Sequence, residues 1–97
     1  MADICKVIQS GTLESSDIMI TISPARKDSG IFIELESNVA MQYGDAIRAT
    51  INQTLAEFGV KNIQIKAVDR GALDCTIRAR MLTALSRAGI TLNGELF

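Results

Sequence analysis

Apolar and polar residues alternate in two short stretches of the first third of the chain. The apolar positions are spaced two apart in both stretches: Ile18, Ile20 and Ile22, then Ile31, Ile33 and Leu35. Such alternation of β-branched residues is typical of a strand with one buried face. A polar segment containing Pro24 and Gly30 separates the two stretches, so we expect them to form an antiparallel hairpin. Residues 4–9 alternate less cleanly and are expected to add another strand.

From residue 37 the apolar spacing changes to steps of three and four, which is the period of an amphipathic helix. The predicted core-facing stripe comprises Val39, Tyr43, Ile47, Ile51, Leu55 and Phe58, with Ala46 and Thr54 beside it. Ser37 or Asn38 is expected to accept hydrogen bonds from the first turn, and Gly59 to end the helix.

The second half of the chain repeats this change of period. Residues 60–68 alternate and predict a strand with Ile63, Ile65 and Ala67 facing inward. Residues 72–88 step by three and four and predict a second helix, which Gly89 ends. Its expected core-facing positions are Leu73, Ile77, Met81, Ala84, Leu85 and Ala88.

The predicted order of elements is therefore β-β-β-α-β-α. A mostly antiparallel sheet of about four strands, with both helices on one face, buries each apolar surface once. We expect a two-layer α+β sandwich that forms a single domain over residues 1–97, with a loosely ordered tail from about residue 90.

Composition narrows the classes of function. The 97 residues include no histidine, and the net charge is −1. Histidine is the usual acid–base group at neutral pH and the commonest transition-metal ligand, so we expect no catalytic residue and no metal site. The near-neutral charge gives no attraction to nucleic acid or membrane surfaces. Apolar runs are too short for a membrane helix and the first residues lack a secretory pattern, so we expect a cytoplasmic protein.

Isolated residues with reactive or charged side chains have ordinary structural interpretations. Cys5 and Cys75 are expected to be reduced thiols, with Cys75 buried. Four arginines concentrate in and before the second predicted helix and can contact phosphate groups or an acidic partner. A solvated helix face is the interpretation we favour for them: Arg70, Arg78, Arg80 and Arg87.

Residues 11–17 (GTLESSD) form the polar connection between the first two predicted strands. A hydroxyl on such an exposed loop can accept a covalent group, although an ordinary hairpin loop has the same composition. On the residues alone, both interpretations remain open.

Three blocks of the sequence resemble one protein family. Residues 11–19 (GTLESSDIM) resemble the N-terminal signature of the citrate lyase acyl carrier proteins, the gamma subunits of that enzyme. The similarity continues in residues 42–50 (QYGDAIRAT) and in residues 69–75 (DRGALDC), followed by Arg78 and Arg80. The three blocks occur in the family's order and span most of the chain.

The resemblance implies a covalent cofactor. In this family the serine directly after Gly-Thr-Leu-Glu carries phosphoribosyl dephospho-coenzyme A through a phosphodiester, and the matching position here is Ser15. Ser16 is a neighbouring rival, because some relatives have glycine there; the position in the motif favours Ser15. Glu14, Ser16 and Asp17 are expected to help the modifying enzyme recognise the loop.

The resemblance also implies partners. It predicts a non-catalytic carrier that presents acetyl and citryl thioesters to the alpha subunit (citrate CoA-transferase) and the beta subunit (citryl lyase) while citrate is cleaved to acetate and oxaloacetate. A prosthetic-group transferase and an acetate-activating ligase would bind transiently. The cofactor brings the reactive sulfur and the partners bring the catalytic groups.

Two alternatives remain beside this one. The carrier subunit of a malonate-decarboxylase-like complex uses the same kind of arm, although the Gly-Thr-Leu-Glu-Ser block favours citrate lyase. A non-catalytic α+β interaction domain would fit the pattern of elements equally well and would leave Ser15 unmodified.

Overall fold

The strands and helices follow the order that the apolar pattern predicts. A computed structural model describes residues 7–37 and 39–90. Its elements are β1 (Ile8–Gly11), β2 (Ile18–Pro24), β3 (Ile31–Ser37), α1 (Ala40–Glu57), β4 (Ile63–Asp69) and α2 (Asp74–Arg87). The α+β class and the order β-β-β-α-β-α are thereby confirmed. The predicted tail beyond residue 90 and residues 4–6 of the first predicted strand lie outside the described residues.

The four strands form one mixed sheet in the order β1-β2-β4-β3. β2 pairs antiparallel with β1 and with β4, whereas β3 pairs parallel with β4. The sheet is mostly antiparallel, as predicted, but the predicted hairpin of β2 and β3 is wrong because β4 lies between them. The long helix α1 separates β3 from β4 in sequence, and a connection of that length allows the two strands to run parallel.

The core lies between one face of the sheet and the two helices. α2 packs against β1 and β2, α1 packs against β3, and the two helices contact each other. The alternating isoleucines of β2 and β4 point into this layer, as predicted, and meet the apolar stripes of the helices. The fully buried apolar residues include Ile18, Ile20, Ile22, Ile51, Leu55, Ile63, Ala67, Ile77, Met81 and Leu85.

The helices begin differently from the prediction. The side-chain oxygen of Ser37 accepts a hydrogen bond from the Val39 amide (3.1 Å), but Val39 itself occupies the cap position and no described side chain caps α1. Asn38, the other predicted capping residue, lies outside the described residues. Tyr43, expected in the core-facing stripe of α1, is 56% exposed. Leu73, expected in the corresponding stripe of α2, precedes that helix and is 68% exposed. The apolar stripes are therefore uncovered at the N-terminal ends of both helices.

Two loops meet at one end of the central strands β2 and β4. Residues 12–17 connect β1 to β2, and residues 70–73 connect β4 to α2. Because Ile18 pairs with Asp69, the two loops start from neighbouring strand ends. Among the described residues, neither helix combines the length and apolar character needed to cross a membrane.

Candidate attachment site

The loop of residues 12–17 presents two serines to solvent. The side chains of Ser15 and Ser16 are both exposed. The backbone amide of Ser16 donates to the carbonyl oxygen of Arg70 (2.7 Å), and the Arg70 amide donates to the carbonyl oxygen of Asp17 (2.9 Å). These bonds extend the pairing of β2 with β4 beyond the strand ends, so the loop is anchored immediately after Ser15.

Gly11 allows the chain to enter this loop. Its φ is +97°, and a Cβ atom built there would collide with the carbonyl oxygen of Ile18. Any other residue would therefore have to move the start of β2, which explains glycine as the first residue of the motif.

Asp17 connects the serine loop to the second helix. The carboxylate accepts hydrogen bonds from Thr12 Oγ1 (2.6 Å) and the Ile18 amide (2.7 Å). Arg80, 63 residues later, donates through Nε to Oδ1 (3.0 Å) and through Nη2 to Oδ2 (2.7 Å). The Asp17 side chain is only 13% exposed, whereas Arg80 is 37% exposed, so the carboxylate half of this bidentate ion pair is the better protected from solvent.

The same contacts determine the charge state of Asp17. The hydrogen bonds from Arg80, followed by that from Thr12, hold the pKa of Asp17 well below its usual range, although burial opposes this effect. Asp17 in turn raises the pKa of Arg80. At neutral pH the carboxylate is therefore ionised and its charge is balanced within the protein.

The structure separates the candidate recognition residues. Glu14 and Ser16 are exposed beside Ser15, and the Glu14 amide donates to Thr12 Oγ1 (3.2 Å). Asp17 faces inward and holds the loop, so little of its side chain is available to another protein. Recognition by Glu14, Ser16 and Asp17 stays a prediction.

Arg80 corrects the expectation that the four arginines form a solvated helix face. It is partly buried and paired with Asp17. The others also have specific contacts: Arg70 pairs with Glu36 (3.6 Å), Arg78 with Glu57 (2.7 Å), and Arg87 donates to the Gln9 carbonyl oxygen (3.1 Å). A helix stripe cannot reveal a partner 63 residues away in sequence. Asp17 and Arg80 both lie in or beside the motif blocks, but nothing in the sequence pairs them.

Asp69 is a second organising carboxylate; in the sequence it was included only within the motif block of residues 69–75 and was given no role. It is fully buried at the end of β4. It accepts hydrogen bonds from the hydroxyl of Ser37 (2.8 Å) and from the amides of Gly71 (3.1 Å) and Ala72 (3.0 Å). One side chain thus joins the end of β3 to the loop that anchors Ser16.

The prediction of a buried Cys75 is wrong. Cys75 is a free, exposed cysteine at the start of α2. The apolar stripe of α2 falls on Ile77 and Met81 instead, and position 75 points away from it. Cys5 lies outside the described residues.

The serine loop offers an exposed acceptor hydroxyl. Within the described part of the chain, the Ser15 side chain is exposed and its hydroxyl makes no hydrogen bond. No group of three or more acidic or cysteine side chains among residues 7–37 and 39–90 is arranged to hold a metal ion. An exposed, uncommitted hydroxyl on an anchored loop suits covalent attachment of a large group by another enzyme.

The chain is similar in sequence to a known family and to several named proteins. The family model described as malonate decarboxylase delta subunit (MdcD) matches residues 6–88. The citrate lyase acyl carrier protein of Streptococcus equi subsp. zooepidemicus is 55% identical over 86 residues, covering 89% of this chain and 83% of that protein. The citrate lyase acyl carrier protein of Lacticaseibacillus casei is 54% identical over 79 residues, covering 81% and 76% respectively.

A solved structure supports the fold. One chain in the crystal structure of a Pseudomonas malonate decarboxylase hetero-tetramer in complex with malonate superposes with a TM-score of 0.68 at 15% identity. The match covers 87% of this chain and 84% of that one. At this level of identity the likeness is one of architecture.

Proposed function

This chain belongs to the family of citrate lyase acyl carrier proteins, and from that premise we propose that Ser15 Oγ carries phosphoribosyl dephospho-coenzyme A through a phosphodiester. The chain then acts as the non-catalytic carrier subunit of a citrate lyase complex. The observation that carries this proposal is the exposed, anchored serine within a sequence that is 55% identical to a named carrier.

The position of Ser15 in the loop supports it as the attachment point. The hydroxyls of Ser15 and Ser16 are both exposed, and Ser16 has a φ of +64° with its amide bound to Arg70, so the place of Ser15 directly after Gly-Thr-Leu-Glu decides between them. Asp17 lies one residue further on, and Arg80 balances its negative charge. A phosphodiester at Ser15 would therefore face one neighbouring carboxylate without a cationic partner among the described residues, Glu14, instead of two.

The chemistry of the complex is divided between cofactor, carrier and partners. When bound, the arm would supply a thiol that carries acyl groups between the active sites of the alpha and beta subunits. The chain itself holds the arm and brings it to two active sites at high effective concentration. Ser15 provides the bond, while Asp17 and Arg80 hold the loop that presents it.

Reconstitution of citrate cleavage tests this function. The chain would be co-expressed with the prosthetic-group transferase, acetylated on the arm, and combined with alpha and beta subunits of a streptococcal citrate lyase. We expect oxaloacetate to form from citrate. Its formation is measured through its reduction by NADH and malate dehydrogenase. The same chain expressed without the transferase is the matched control and should give no oxaloacetate above background.

A parallel reconstitution distinguishes the malonate alternative. The modified chain would be combined with the remaining subunits of a malonate decarboxylase and supplied with malonate. The proposal predicts citrate cleavage and at most a small fraction of that rate with malonate. Malonate decarboxylation without citrate cleavage would overturn the assignment to citrate lyase.

A further inference from the structure

An apolar groove lies between the N-terminal ends of the two helices. It has a volume of about 560 Å³, and its apolar lining includes Val39, Tyr43, Ala46, Ala72 and Leu73. Tyr43 and Leu73 are the large side chains whose predicted core positions are exposed instead. Burying them against a ligand would recover the hydrophobic free energy that their exposure forgoes.

The groove adjoins the serine loop through the backbone. Ser16, the residue after Ser15, donates its amide to the carbonyl oxygen of Arg70 (2.7 Å), and Gly71 lines the groove. Consecutive Cα atoms are about 3.8 Å apart, so only a few such steps separate the attachment point from the groove. A coenzyme-A-like arm is far longer than this distance.

The groove is held in shape without a ligand. The buried carboxylate of Asp69 binds the amides of Gly71 and Ala72 and the hydroxyl of Ser37. One side of the groove is therefore fixed to the ends of β3 and β4. A fixed, apolar cavity loses little conformational entropy when an apolar ligand enters it.

Charge limits what can occupy the groove. Among the described residues, its lining contains the carboxyl groups of Asp69 and Asp74 but no lysine or arginine. Phosphates and carboxylates would be repelled by these carboxylates. They would also lose their hydration without gaining a cation in its place. The uncharged end of a coenzyme-A-like arm is an amide-containing chain that terminates in sulfur. It is not repelled by the two carboxylates and has no charge to desolvate.

Building on the proposed function, we propose that the uncharged, sulfur-bearing end of the arm on Ser15 folds back into this groove when no partner subunit is engaged. The groove shields the sulfur from water and from small electrophiles between visits to the partner active sites. The diphosphate and ribose portions stay in solvent. The groove is thus a resting site for the arm, distinct from the serine that bears it.

Alkylation of the arm's thiol by iodoacetamide tests this proposal. The reagent is uncharged, and peptide mass spectrometry separates alkylation of the arm from that of Cys5 and the exposed Cys75. An Ala46→Trp variant fills the groove, and Leu73→Ser removes an apolar wall. Met41→Ser is the matched control, because Met41 is fully exposed on the same helix and does not line the groove.

We expect the thiol of the parent protein to react about 3–10 times more slowly than free dephospho-coenzyme A, since only the released fraction of the arm reacts. Ala46→Trp should restore the faster rate, Leu73→Ser should restore part of it, and Met41→Ser should match the parent. Amide NMR shifts on modification of the parent should change at residues 39–47 and 71–74 as well as in the serine loop.

Three outcomes would overturn the proposal. Equal alkylation rates for the free coenzyme and all the modified proteins would show that the groove does not hold the arm. Shifts in the groove only after an alpha or beta subunit is added would assign the groove to a partner. An intact mass without the arm would instead disprove the proposed function on which this inference depends.

Discussion

At the scale of single residues, two carboxylates with different surroundings organise the candidate site. Asp17 is paired with Arg80 and with Thr12 at the base of the serine loop. Asp69 is fully buried and uses neutral donors: one hydroxyl and two backbone amides. Asp17 therefore holds the serine loop in place and has its charge balanced by Arg80. Asp69 instead fixes the backbone of the loop after β4, to which the serine loop is hydrogen-bonded.

The ion pair of Asp17 predicts a specific dependence of stability on pH. Its pKa is lower in the folded state than the value of about 3.9 for an unperturbed aspartate, so its stabilising effect is complete above that value and is lost as pH falls below it. An Asp17→Asn variant should lose about 1–2 kcal/mol of unfolding free energy at pH 7. The loss is limited to this range because Arg80 is partly exposed and solvent already weakens its attraction to Asp17. Urea unfolding of both proteins measures the difference.

The difference between parent and Asp17→Asn should stay constant from about pH 7 to about pH 5 and shrink below about pH 4. Glu14→Gln, which removes an exposed carboxylate from the same loop, is the control and should change stability by less than about 0.5 kcal/mol. A difference that grows as the solution becomes more acidic would refute this account of the ion pair.

At the scale of elements, the chain crosses from β3 to β4 through α1, and this crossover determines where the site can form. β3 and β4 run parallel, so their C-terminal ends, Ser37 and Asp69, are neighbours. The hairpin predicted for β2 and β3 fails because alternation identifies strands but carries no information on their pairing. The individual elements, in contrast, could be predicted from the spacing of residues such as Ile20, Ile51 and Ile65.

Asp69 carries the connection between these elements, and its removal should show this. Asp69→Ala would leave the Gly71 and Ala72 amides and the Ser37 hydroxyl without their acceptor in a buried region. We expect a loss of about 2–4 kcal/mol of unfolding free energy, measured by urea unfolding. Asp45→Ala, an exposed change on α1, should cost less than about 0.5 kcal/mol. Similar losses for both variants would contradict the role given to Asp69.

At the scale of the whole molecule, the serine loop, the Asp69 turn and the apolar groove gather at one end. The sequence motif could identify the family and make Ser15 the candidate attachment residue, because the relevant residues are contiguous. It could not predict that Arg80 pairs with Asp17, or that Tyr43 and Leu73 border a common groove, because these contacts join distant segments. Cys75 shows a different error. Its burial was predicted from residue type, whereas the helical spacing of Ile77 and Met81 already leaves position 75 off the apolar stripe, and its side chain is exposed.

The central claim is that Ser15 bears the prosthetic arm. The most direct test is the intact mass of the chain after co-expression with the prosthetic-group transferase, alongside Ser15→Ala and Ser16→Ala variants. The account predicts that the parent and Ser16→Ala gain the mass of phosphoribosyl dephospho-coenzyme A, less the group lost on attachment, and that Ser15→Ala gains none. An added mass on Ser15→Ala, or an unmodified parent under a transferase active on a streptococcal carrier, would contradict it.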